Sequence, residues 1–176
     1  MNALIPYRII SYLLLIIAAF FSIVCLLMLL MAFANIALFF PFLVFSSVII
    51  YIITSFIFFI KVVETRKTCK PQLIKLIKIC SFVTIIFSLL FLVNGLFTLY
   101  NPTIINQFVH EFFAMQKNNP ATAQISAETM IVTLKGVMYF MILFATTLLI
   151  HVYETYKLIK QYNNSITSNK QNTTLN

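Results

Sequence analysis

The stretch Ile9–Phe33, IISYLLLIIAAFFSIVCLLMLLMAF, carries no charged residue. At 1.5 Å of rise per residue, about 20 residues in a helix cross roughly 30 Å of hydrocarbon. Inside lipid, every backbone N–H and C=O must be satisfied within the segment itself. The run is therefore expected to be a helix, although its Ile, Val and Phe content would favour strands in water.

Three more runs read the same way. The expected spans are about 9–33, 41–60, 79–100 and 130–153, and only the last holds a charge, Lys135. The five prolines, Pro6, Pro41, Pro71, Pro102 and Pro120, fall at run boundaries, where a missing N–H does least harm. Composition supports the same class. Hydrophobic residues make up 61% of the 176, and charged residues only 9%. A water-soluble domain carries about a quarter charged residues, so lipid must cover what this chain cannot wet. The expected fold is an all-α integral membrane protein. Residues 1–160 form a four-helix transmembrane bundle, and residues 161–176, rich in Asn, Gln, Ser and Thr, form a disordered cytoplasmic tail.

Orientation follows from the basic residues. Arg8, Lys61, Arg66, Lys67, Lys70, Lys75, Lys78, Lys157, Lys160 and Lys170 fall on one side of the alternating spans; only Lys117 and Lys135 fall on the other. The positive-inside rule places the ten in the cytoplasm, with both termini. Ala32-Phe33-Ala34 has the form of a signal-peptide cleavage site. The apolar run before it is too long for a signal core of 7–15 residues.

Two pairs of segments resemble one another. Arg8-Ile9-Ile10-Ser11-Tyr12 matches Lys78-Ile79-Cys80-Ser81-Phe82, and Ile60–Lys67 matches Ile150–Lys157. The first pair sits at the entries to helices one and three, the second at the exits of helices two and four. That order suits two tandem helical hairpins, related by an axis along the membrane normal. Between spans three and four, Thr103–Lys117 divides into an apolar half with Ile104, Ile105, Phe108, Val109, Phe112, Phe113 and Met115, and a polar half with His110 and Glu111. The segment is too short to span, and is expected to be an amphipathic interfacial helix. Ser126 is placed to cap the fourth span, with Glu128 in its first turn.

Candidate chemistry is sparse. His151 and Glu154 share a helix face at i and i+3. That spacing can begin a metal site, but ion pairs such as Glu64–Lys67 and Glu154–Lys157 explain the charges better. Lys135 is expected to reach the headgroups along its stem. Asn94 and Gly95 form a polar and small pair suited to helix packing, or to contact with a partner. Phe108 and Phe112 are the corresponding candidates on the outer helix. No catalytic, metal or cofactor-binding residue is expected. The cysteines, Cys25, Cys69 and Cys80, form neither a CxxC pair nor a metal spacing. The four-span layout resembles that of thiol-oxidising quinone reductases in topology alone, because those carry outer-side cysteine pairs and this chain has no cysteine in an outer loop.

The expected function is a non-catalytic subunit or organiser in a membrane; the alternative is an oligomeric channel or transporter component. Its partners are the lipid bilayer, and either copies of itself or another membrane protein. Nucleic acid is not expected, because the +8 net charge is confined to the gaps between spans. A bacterial inner membrane fits the compact size, the short loops and the Ile-, Asn- and Lys-rich composition.

Overall fold

The computed structural model describes residues 5–65, 68–116 and 126–174, with side chains described to residue 165. In chain order the helices are α1 (Ile5–Ala34), α2 (Phe39–Phe58), α3 (Pro71–Tyr100), α4 (Pro102–Met115) and α5 (Ala127–Thr174). A 3-10 turn at Ile36–Leu38 joins α1 to α2, and a π-helical turn at Phe59–Glu64 extends α2. No strand occurs among the described residues. Four helices are long and apolar enough to cross a membrane: α1, α2 with its two flanking turns, α3 and α5. The protein is an all-α membrane protein.

The chain divides into two compact units. The first comprises residues 1–87 and 147–176, and the second residues 88–146. The first unit brings together α1, α2, the beginning of α3 and the end of α5. Its packing rests on a periodicity in α1. Tyr7, Ser11, Leu14, Ala18, Cys25 and Ala32 are buried, and Phe21 is half-buried between them. The steps of four and three are those of a heptad seam. Ser11, Ala18, Cys25 and Ala32 recur every seven residues, and such small side chains let helices approach closely where lipid supplies no hydrophobic drive. Along this seam the Cys25 thiol lies 3.2 Å from the Ser46 hydroxyl of α2. Phe45 of α2 meets Phe87 of α3 edge-on, at 5.3 Å between centroids.

The π turn has a visible consequence. The Thr65 N–H donates to the Ile60 carbonyl at 3.0 Å, five residues back. The wider turn lets two consecutive residues, Phe58 and Phe59, both face inward. Phe59 packs on Tyr7 and Phe58 on Tyr162.

The second unit holds the end of α3, α4 and the beginning of α5. Here Gly95 of α3 is buried against α5, and a Cβ placed on it would lie 2.9 Å from Ile142 Cγ1. α4 turns Ile105 and Val109 inward. Ser126 caps α5 as its position suggested: the Thr129 N–H donates to Ser126 Oγ at 3.1 Å, and Glu128 sits in the first turn.

Several boundaries differ from the sequence reading. α3 begins at Pro71 rather than near residue 79, because proline fits the first turn of a helix and Lys75 and Lys78 extend it outside the apolar run. α5 does not stop near 160. It continues to Thr174 through the segment read as a tail. Extending an existing helix needs no new nucleus, and its first residues are tied down. The Cys69 N–H donates to the Tyr162 hydroxyl at 2.7 Å, while Ile159 is buried. The matched helix exits also differ: residues 59–64 are π-helical, whereas 150–157 are α-helical. They share one detail. Thr65 and Thr155 hold equivalent positions, and each donates to the carbonyl four residues back, at 2.8 and 2.7 Å.

Candidate functional site: a buried hydroxyl–imidazole cluster

The residues singled out from sequence fall in different places. Asn94 is exposed on α3, on a face open to contact with a partner rather than packed within the chain. Gly95, its neighbour, does make the close helix approach. Phe108 is 52% exposed, yet it lines an apolar cavity of about 190 Å³ with Thr98, Ile104, Ile105, Leu134 and Met138. Phe112 is half-buried and meets Phe113 edge-on. His110 and Glu111 are exposed, with the Gln107 amide donating to Glu111 at 3.1 Å. Lys135 is exposed on α5, where its stem is free to follow the helix outward.

The two ion-pair expectations part company. Lys157 pairs with Glu154 at 3.5 Å. Glu64 pairs with Arg8 at 3.4 Å; Lys67, its expected partner, lies outside the described residues. Cys69, in the loop before α3, is half-buried, and burial pushes its thiol above the ordinary range although Lys61 acts in the other direction.

His151 departs most from its reading. The sequence sets it on a helix face with Glu154, at a spacing that can begin a metal site. Instead it is 1% exposed, inside the first unit. Its position on α5 follows from spacing, since His151 and Thr155 stand one turn apart on the buried face. Tyr7 and Ser11 stand one turn apart on α1, and Tyr51 comes from the buried face of α2.

The five side chains form one connected set. His151 Nε2 lies 3.0 Å from Ser11 Oγ, and Nδ1 lies 2.9 Å from the Tyr51 hydroxyl. The Tyr7 and Tyr51 hydroxyls lie 3.0 and 3.2 Å from Thr155 Oγ1. The Tyr7 ring stacks on the imidazole at 4.9 Å with an 8° interplanar angle, while Tyr51 meets it edge-on. Nearby, Ser81 of α3 reaches the Tyr156 hydroxyl at 2.8 Å. Hydroxyls from two helices, Ser11 of α1 and Tyr51 of α2, thus meet one ring of α5, near the end of the unit that bears Arg8, Lys61 and Lys157.

Chemically the cluster is self-contained. Both ring nitrogens are engaged by hydroxyls within the cluster. Glu154, the metal partner considered from sequence, is engaged by Lys157 instead. Among the described residues no group of three His, Cys, Asp or Glu side chains converges on a common point. The described cavities of the first unit lie elsewhere. One is lined by Ser22, Cys25, Leu29, Phe42, Ser46 and neighbours, another by Leu29, Ala32, Phe33, Ile36 and Phe39.

No family model, no curated protein and no solved structure matches this chain.

Proposed function

We propose that this protein is a non-catalytic subunit or organiser within a membrane, acting through helix–helix or membrane-surface contacts. Both termini are then cytoplasmic, in a bacterial inner membrane, as the ten-to-two division of Lys and Arg and the short-looped composition suggest. The observation that carries the reading is the inward use of polar groups. The buried Tyr7, Ser11, Tyr51, His151 and Thr155 side chains of the first unit bond one another across helices rather than presenting free donors to a cavity. Such bonds hold helices together. α4 adds a surface for contact, because it leaves Phe108 and Met115 exposed beyond its buried Ile105 and Val109. That surface suits the outer membrane interface.

Crosslinking in native membranes, read by mass spectrometry, tests the proposal. A reproducible membrane-protein partner, or a homo-oligomer, is the expected result. Specific ion or solute flux in reconstituted vesicles, lost on changing Asn94 or Lys135, would overturn it in favour of a channel or transporter component.

A further inference from the structure

Taken together as hydrogen bonds, the short contacts around His151 place its proton on one ring nitrogen. Thr155 has one hydroxyl hydrogen, and it donates to the His151 carbonyl at 2.7 Å, an acceptor that cannot donate back. Both tyrosines must therefore donate to Thr155 Oγ1, at 3.0 Å from Tyr7 and 3.2 Å from Tyr51. The Tyr51 hydrogen is then committed. The 2.9 Å contact between Tyr51 and His151 Nδ1 can be a hydrogen bond only if Nδ1 carries the proton. Nε2 remains, 3.0 Å from Ser11. In the neutral ring it accepts from the Ser11 hydroxyl.

We propose that this cluster is an acid-sensitive clasp. Neutral His151, protonated on Nδ1, joins Ser11 of α1 to Tyr51 of α2, and a second proton at Nε2 weakens that join. The extra proton turns Ser11 from donor to acceptor and places a full charge among three helices. A buried charge is costly unless it is paired, and no carboxylate touches the ring. From α1 the ring meets Tyr7 and Ser11, while Arg8 turns outward to Glu64 of the π turn. From α2 it meets Tyr51. On α5 itself, Glu154 is engaged by Lys157, and Tyr156 by Ser81 of α3. The stacked Tyr7 face offsets part of the charge, since an aromatic face attracts a cation, but a ring does not replace a counter-ion.

The test uses the full chain in lipid nanodiscs, with the exposed His110 changed to Gln so that one histidine remains. Nitrogen-15 spectra of labelled histidine at about pH 7.5 should show one protonated and one bare ring nitrogen, with the proton assigned to Nδ1. Carboxylates titrate near pH 4 and free histidine near 6.5. Between about pH 7.5 and 5, the loss of stability should therefore belong to His151. The melting temperature should fall by several degrees over that interval in H110Q, and by much less in H110Q carrying His151→Gln. A proton on Nε2 at neutral pH would overturn the clasp. So would a ring that becomes an imidazolium by pH 6 with no fall in melting temperature. The last two readouts need no change at His151, so they stand even if that variant does not fold.

Discussion

Replacing His151 by alanine is expected to destabilise the protein by about 3 kcal/mol, the range found when a large buried side chain is truncated. Two effects combine. The ring is fully buried, stacked on Tyr7 and met edge-on by Tyr51, so its removal leaves a cavity. It also removes the acceptor for Ser11 and the donor to Tyr51. Inter-helix hydrogen bonds in membranes average only about 0.6 kcal/mol, so the cavity should dominate. His151→Phe separates the two effects. It keeps most of the volume, Tyr51 can still donate to Thr155, and the cost should be about 1 kcal/mol. Unfolding in mixed micelles measures both. Equal losses for Ala and Phe would mean that the hydrogen bonds, and not the packing, carry the cluster.

The second large effect is expected at Gly95. Alanine there sets a methyl 2.9 Å from Ile142 Cγ1, closer than real Cβ atoms come, and 3.3 Å from Cδ1, a tight contact. The isoleucine must shift or the helices must part, at a cost of about 1–2 kcal/mol. Ile142→Ala removes the clashing atoms and should itself cost about 2 kcal/mol through lost packing. The double variant should therefore lose less than the sum of the singles, by roughly 1 kcal/mol, because the two residues touch. Strict additivity would show that Gly95 and Ile142 do not pack together. Gly136, the other glycine, has open space around its missing Cβ. Gly136→Ala should be neutral or slightly stabilising, since alanine is the better helix former, and it serves as the control.

What the sequence disclosed and what it withheld divide by range of interaction. Apolar runs and prolines are local, and they located all four spanning helices. The cap at Ser126 and the two-faced helix after Pro102 are local as well. The His151 cluster is not. Its members lie 100, 140 and 148 residues apart along the chain, so no window of sequence contains them. A partial signal did exist. Tyr7, Ser11, Leu14 and Ala18 step by four, three and four, and Thr155 and Ile159 continue the buried face on which His151 lies. Reading the seams first would have turned His151 inward. Its nearness to Glu154 in sequence drew attention to the wrong face. The helical continuation past residue 160 was hidden for another reason. Polar composition argues against a packed core, but Tyr162 ties the first turn down through Cys69 and Phe58.

Four helices able to cross a membrane, and the cytoplasmic side proposed for the basic end, are tested most directly by reporter fusions along the chain. Fusions after Phe39, Cys69, Pro120 and Lys170 should report outside, inside, outside and inside in turn. That order follows from four spanning helices and from the ten basic residues on one side against two on the other. A reversed order would mean that the basic end faces outward. Two neighbouring fusions on the same side would mean that one of the four helices does not cross, and either result would contradict the account.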